Sequence, residues 1–418
     1  MEDWSSGRKI AFRFLFPFFI FWTAVWNSIP YVNSWINKFY YYPSFFVQNY
    51  ILKLTETPKW EHSPTGSGDT LDDWILLLTY VILSLVIFVI WSIFDRKAKN
   101  YQKLESGLVI GLRYYLAFVM CGYGIYKLFL LQMPYPSLVQ FHTPLGEFTP
   151  MRFTWLHIGY SPYYQFIGGF LETLGGLLIL FRRTRVLGGI ILLGVLSQVV
   201  MLNYFYGVPV KIFSSFLLIV TIYIIKDDLI ILGKLILGKS NQTIDILPFQ
   251  TDSIWIKRIR IVLKFGFICY AFGYSFYSVK AYYDEQNQIE NIELYGAYEV
   301  LNYRKNDTEV SSILDKERWN YIVFGEGFSE NRSSTLIRKG FSDYQKASTT
   351  LFSTDSIKIN LIGDTPGKFI GRFQKNDNEI ELSGLLNSDT LLLKLSLDNR
   401  EQVLPDRKFK WIMEQTDF

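Results

Sequence analysis

Charge is scarce in this sequence of 418 residues: Asp, Glu, Lys and Arg make up 19% of it, against about a quarter in an ordinary soluble domain. Histidine and cysteine are nearly missing. His62, His142 and His157 all fall outside the predicted apolar spans, which excludes a haem held between intramembrane histidines. Cys121 and Cys269 lie in separate apolar runs with no C-x-x-C pair, so neither a dithiol centre nor a thiolate zinc site is available. Both read as small apolar side chains. From 288 to 418 there is no His and no Cys at all, which removes a Ser-His triad and a histidine metal site from that segment. The net charge of +4, with no basic tract interleaved with aromatics, excludes a nucleic-acid partner.

What the sequence has in excess is apolar surface. Half of it is hydrophobic and 18% aromatic, concentrated in long uncharged runs between 10 and 280, whereas 281–418 has ordinary soluble composition. Crossing about 30 Å of hydrocarbon takes roughly 20 apolar residues. Seven segments qualify: Phe14–Pro30, bent by Pro17, then Trp74–Phe94, Leu108–Leu131, Pro162–Phe181, Val186–Phe205, Val208–Ile225 and Ile261–Lys280. The fifth and sixth are joined by a tight Tyr206-Gly207 corner and read as a hairpin. The far flank of the first has no small-x-small cleavage site, so it reads as an anchor and not as a signal peptide.

Basic residues in the loops set the orientation. Sixteen (Arg8, Lys9, Arg13; Arg96, Lys97, Lys99, Lys103; Arg182, Arg183, Arg185; Lys226, Lys234, Lys239, Lys257, Arg258, Arg260) fall on one side. Five (Lys38, Lys53, Lys59, Arg152, Lys211) fall on the other. The N-terminus is therefore expected in the cytoplasm and the tail beyond Lys280 outside it. The 31–73 loop carries an aromatic girdle, Tyr31 to Tyr50, expected to lie in the outer headgroup layer, with a ligand-stacking surface as the alternative.

The tail alternates like strands: Ile292–Tyr303, Trp319–Phe324, Thr335–Phe341, Ile357–Leu361, Lys368–Gln374, Glu379–Leu382 and Thr390–Leu397. Seven short strands predict a small antiparallel barrel or sandwich. Gly325-Glu326-Gly327 reads as a hairpin turn, with a phosphate cradle as the alternative. The expected fold is thus a mainly α transmembrane bundle of about seven spans followed by an antiparallel β domain. Its parts are a two-span region (1–104), a four-helix core (105–225), a linker with the seventh span (226–287) and an extracytoplasmic β domain (288–418).

The most informative run is Gly168-Gly169-Phe170-Leu171-Glu172-Thr173-Leu174-Gly175-Gly176. On a helix, positions three and four from Glu172 share its face, so all four glycines are expected to surround it and to admit a neighbouring helix. A charged acid deep in a span costs about 2.5–3.5 kcal/mol on insertion scales and calls for a partner. By depth, Glu172 lies roughly 14 Å, and Arg113 roughly 8 Å, from the cytoplasmic ends of their spans. A Glu172–Arg113 pair follows as the expected catalytic centre, with Tyr114, Tyr115 and Gln198 around it as ligand-binding residues. A purely structural salt bridge is the alternative. A second polar group, Lys127, Gln165, Asn203, Tyr204, Tyr206 and Lys211 with His157, is expected near the outer ends. It reads either as lipid-facing anchors or as the mouth of a cavity, with Lys127, Asn203 and Lys211 as ligand-binding residues.

Several of these runs resemble the DoxX-like family of bacterial membrane proteins. The matching pieces are Arg113-Tyr114-Tyr115, Gly169-x-x-Glu172-x-x-Gly175-Gly176-Leu177-Leu178-x-Leu180, the Arg182-Arg183-Thr184 corner, and Asn203 followed by Val208-Pro209-Val210-Lys211. The similarity covers about 105–225 and is closest to the long form of the family, with extra spans and a C-terminal β domain. It implies a four-helix bundle in the bacterial cytoplasmic (inner) membrane. Through the family's relation to a membrane subunit of thiosulfate:quinone oxidoreductase it also implies a quinone-associated redox role. The residues themselves carry no metal or flavin motif, so no cofactor is evident apart from the quinone that the resemblance implies. Partners are then membrane lipid and a redox or envelope protein, since electrons would need a partner. The alternatives are a non-enzymatic scaffold whose β domain recruits an envelope partner, and a small-solute or proton conduit.

Overall fold

The computed structural model describes residues 3–25, 39–54, 69–239, 253–287, 291–329, 331–363 and 365–398. The expected aromatic loop over 31–38, His62 and the C-terminal twenty residues lie outside them. The chain forms two compact units, Met1–Met133 with Ser161–Val279, and Pro134–Tyr160 with Lys280–Phe418. Its helices are α1 (Ser6–Val25), α2 (Leu71–Phe94), α3 (Gln102–Leu128), α4 (Leu138–His142), α5 (Pro150–Tyr160), α6 (Pro162–Leu180), α7 (Arg185–Phe205), α8 (Lys211–Ile236) and α9 (Ile254–Asn287).

Each predicted span overlaps a helix of the first unit, the first of them as far as Val25, beyond which it lies outside the described residues. Five of these helices, α2, α3, α6, α7 and α9 (to Asp284), are long and apolar enough to cross a membrane. The other two, α1 and α8, carry more charge at their ends. In α8 the helix continues eleven residues past the predicted Ile225, through Lys226, Asp227 and Asp228, because those charges find partners. Asp228 takes two hydrogen bonds from Arg185, at 2.7 and 2.5 Å, and Lys226 meets Glu105 at 2.8 Å. Glu105 also pairs with Arg8 of α1 at 2.9 Å.

α3 packs on α6, α6 on α7, α7 on α8, and α8 returns to α3, closing a ring of four helices. Gly207, with φ +66°, makes the corner between α7 and α8 that a side chain would resist. α1 runs antiparallel to α2. Its early Arg13 hydrogen-bonds the Asp95 carbonyl and Tyr101 hydroxyl at 2.6 and 2.8 Å, while its later Trp22 meets Tyr80. Trp22 also stacks on Phe216 of α8, ring centroids 4.3 Å apart.

The second unit is a closed barrel. β1 (Gly296–Lys305), β3 (Trp319–Ser329), β4 (Arg332–Lys339), β5 (Asp343–Leu351), β6 (Ser356–Ile362), β7 (Gly367–Asn376), β8 (Glu379–Leu386) and β9 (Asp389–Leu397) pair antiparallel in sequence order. β9 pairs back onto β1, so the expected barrel-or-sandwich resolves to an eight-stranded barrel. The two-residue β2 (Thr308–Glu309) only extends β1. Eight strands leave a bore just wide enough for side chains, and here Trp319, Tyr298, Tyr303, Phe324 and Phe369 fill it. Arg318 and Asn320 tie β3 to neighbouring loops: Arg318 donates to Val310 and Asn320, and Asn320 donates to the Ile313 and Gly340 carbonyls.

Gly325-Glu326-Gly327 is not a hairpin turn. It lies within β3 at a register shift, where a Cβ on Gly325 would stand 2.6 Å from Val139. The missing side chain lets α4 lie directly on the strand. Glu326 accepts the Leu138 amide at 2.8 Å, and Ser137 with Gln140 completes a capping box at the start of α4.

Candidate functional site

The chemistry of the helical unit centres on the α3–α6 seam. A Cβ built on Gly124 would stand 2.7 Å from the Gly169 carbonyl oxygen, and one on Gly169 would stand 2.6 Å from that of Gly124. The backbones therefore touch, as small-residue contacts allow. Further along, Gly176 packs on Met120, Cys121 and the Ala117 carbonyl. Descending numbers on α3 meet ascending numbers on α6, so the pair is antiparallel and its register is fixed by these glycines. Gly175 continues the close packing against Leu192 of α7. Gly168 departs from expectation: nothing lies within 4 Å of its Cβ position, so three glycines and not four make the contact.

Glu172 is buried, with 2% of its surface exposed, and its partner is Lys127, whose ammonium donates to Glu172 Oε1. The expected Glu172–Arg113 pair is not formed. Arg113 donates instead to the Ile179 and Leu180 carbonyls, both at 2.7 Å, closing the C-terminal end of α6. The reason is register. Arg113 lies eleven residues before Gly124, about 16 Å along α3, which sets it level with the end of α6 and about 11 Å from Glu172. Depth counted from Leu108 misjudged this because it took Leu108 as level with Phe181, whereas α3 begins at Gln102 and runs past the end of α6. Lys127, by contrast, has its Cβ against Gly169, one turn from Glu172, and its side chain folds back along the seam.

One carboxylate oxygen stays open. Glu172 Oε2 is buried without a hydrogen-bond partner, and so is the hydroxyl of the adjacent Thr173. Buried polar atoms are nearly always satisfied, so the unspent carboxylate oxygen is exceptional, while the Thr173 hydroxyl lies against the Gly124 backbone of α3.

The remaining expected residues do not join this centre. Tyr114 packs edge-on against Phe267 at 4.8 Å and Tyr115 against Phe216 at 6.2 Å. Gln198 donates to the Tyr164 hydroxyl at 2.8 Å. Asn203 donates to Ser214 Oγ at 2.9 Å and pins the α7–α8 hairpin. Lys211 binds Asp69 at 3.1 Å, and Asp69 also accepts the Lys211 and Ile212 amides at 2.9 and 3.0 Å, capping α8. Gln165 clasps both backbone groups of Met133, at 2.8 and 2.9 Å. The outer polar residues are thus separate clasps, and the expected cavity mouth is not assembled from them. Sequence reasoning missed Asp69, Glu105 and Asp228, although each is an acid at the edge of an apolar run. It also missed Gly124 and the Gly188-Gly189 pair, whose Cβ positions would meet Gly175 O at 2.9 Å and Ile225 at 2.5 Å.

No protein-family model matches the chain. It is 28% identical over 136 residues to the uncharacterised protein YwoB of Bacillus subtilis (strain 168), covering 30% of this chain and 80% of that protein. No solved structure matches.

Proposed function

We propose that this is a multi-pass protein of the DoxX type in the bacterial cytoplasmic membrane, in which the Lys127–Glu172 centre binds a quinol-type lipid and Glu172 takes up the proton that a quinol hydroxyl releases as a redox-protein partner withdraws its electrons. The open Glu172 Oε2 carries the reading: a merely structural ion pair would be expected to have both oxygens satisfied. The donor set fits a quinol headgroup. Glu172 Oε2 accepts a hydroxyl proton, Thr173 Oγ1 and the Lys127 ammonium donate to ring oxygens, and Lys127 balances the carboxylate charge. The quinone itself supplies the two-electron couple. Arg113, placed earlier at the centre, acts as a positioning residue that fixes the end of α6.

The chain topology supports seven crossings. Residues 134–160 fold with the barrel, so both belong on one side of a membrane, and an even number of crossings must separate them. The three apolar helices α6, α7 and α9 are an odd number. α8 must then cross as well, and α1, antiparallel to α2, brings the total to seven. Loop charge places the barrel outside the cytoplasm.

Native mass spectrometry with quinone extraction, on protein purified from its own membrane, tests the reading. Wild type is expected to retain a quinone and Glu172→Gln to lose it; wild type without quinone would contradict the proposal. A scaffold role is favoured by one observation, the large buried side chains that occupy the bore of the barrel, which leave its outer surface as the working face. Partner proteins co-purifying with both Glu172→Gln and wild type, in the absence of quinone, would favour that role.

A further inference from the structure

A cleft of about 230 Å³ opens on the outer face of the barrel, lined by His142, Tyr321, Val323, Leu336, Arg338, Tyr344 and Asp398. It is built by cross-strand pairing. Tyr321 of β3 stands opposite Arg338 of β4, and Arg338 stands opposite Tyr344 of β5, so the guanidinium lies between two tyrosines on one face. The next row, Val323 opposite Leu336, forms an apolar floor. The Arg338 guanidinium lies 5.3 Å from the Tyr321 ring centroid, a cation–π contact that fixes its position. Its Nε is buried without a hydrogen-bond partner, and among the described residues Arg338 makes no ion pair. Arg113, Arg185 and Arg318 spend guanidinium donors on carbonyls or a carboxylate; Arg338 is held in place with its Nε unspent.

We infer that this cleft is a binding site for a ligand carboxylate of about one amino-acid residue in size, received by Arg338 between Tyr321 and Tyr344. Guanidinium donors match a carboxylate in paired geometry. The charge count selects a monoanion. Asp398 adds a negative charge, with one oxygen taking the Tyr321 hydroxyl at 3.0 Å. Burial holds His142 below its usual range, which favours the uncharged ring. A single guanidinium offers one positive charge to a ligand, which suits a monoanion better than a dianion such as phosphate. The volume is below the roughly 300 Å³ at which drug-sized sites begin, which sets the size of the ligand. The site is independent of the Lys127–Glu172 centre.

The test is titration calorimetry on the full chain in nanodiscs with N-acetylglycine, its amide N-acetylglycinamide, and inorganic phosphate. N-acetylglycine is expected to bind at least tenfold more tightly than either of the others. Arg338→Gln is expected to abolish the difference, while Arg332→Gln, at an exposed arginine of the same strand, leaves it unchanged. Equal binding of acid and amide to wild type, or phosphate binding as tightly as the acid, overturns the site without any variant. Undiminished binding to a folded Arg338→Gln protein does the same.

Discussion

At the scale of single residues, the centre depends on a charge pair placed where two glycines let helices touch. Lys127→Met leaves the Glu172 carboxylate buried without its counter-ion and is expected to cost about 3–5 kcal/mol. Adding Glu172→Leu should recover most of that loss. Thermal unfolding in detergent of the single and double variants measures both, and an additive double variant would deny the pairing. Gly124→Ala puts a Cβ within 2.7 Å of a backbone oxygen and is expected to cost about 1–3 kcal/mol. Gly168→Ala, in open space on the same face, should be neutral or stabilising by up to about 1 kcal/mol from helix propensity. The sequence made Glu172 conspicuous because a lone acid in an apolar run has few bland explanations. It concealed the partner, because Lys127 at a span end looks like any lipid-facing anchor and only the α3–α6 register shows that it folds inward.

At the scale of elements, ends are closed by side chains from elsewhere in the chain. Arg113→Met strips the Ile179 carbonyl of its donor and leaves Leu180 only Lys264, at 2.9 Å. Each lost bond is expected to cost about 1–3 kcal/mol, read as faster amide exchange over the last turn of α6. α4 should respond to pH. His142, facing Tyr321, Arg338, Tyr344 and Asp398, has its pKa lowered from 6.5 by burial, with Arg338 adding to the shift and Asp398 opposing it. Above about pH 6.5 the ring is neutral whether α4 is docked or not. Below that the undocked form takes the proton first, so docking weakens as pH falls towards the docked value. Protection at Val139–Phe141, measured against the intrinsic exchange rate at each pH, should therefore fall as pH drops from about 7.5 to about 5.5, and His142→Gln should flatten that response. Helices and most strands were legible from period alone. β5 was not, because its inward residues Gln345, Ala347 and Thr349 are small or polar, and Thr349 shares a 2.6 Å hydroxyl contact with Thr335 inside the wall. The docking of α4 was equally hidden, since Gly325 announces only a missing side chain and not what occupies the space.

At the scale of the whole molecule, 134–160 fold with the barrel, and the proposed seven crossings require α8 to be one of them. Single cysteines at Gly146 and at Asp377 should react with an impermeant thiol reagent from one side of the membrane, and one at Gly238 from the other. Labelling of Gly238 from the same side as Asp377 would remove α8 from the spans. The central claim, that the open Glu172 oxygen receives a quinol hydroxyl, is tested most directly by titrating a short-chain quinol into nanodisc-held wild type and Glu172→Gln and following quenching of aromatic fluorescence. The account predicts saturable binding to wild type and at least a tenfold loss in a Glu172→Gln protein of unchanged helix content; equal affinity in the two would contradict it.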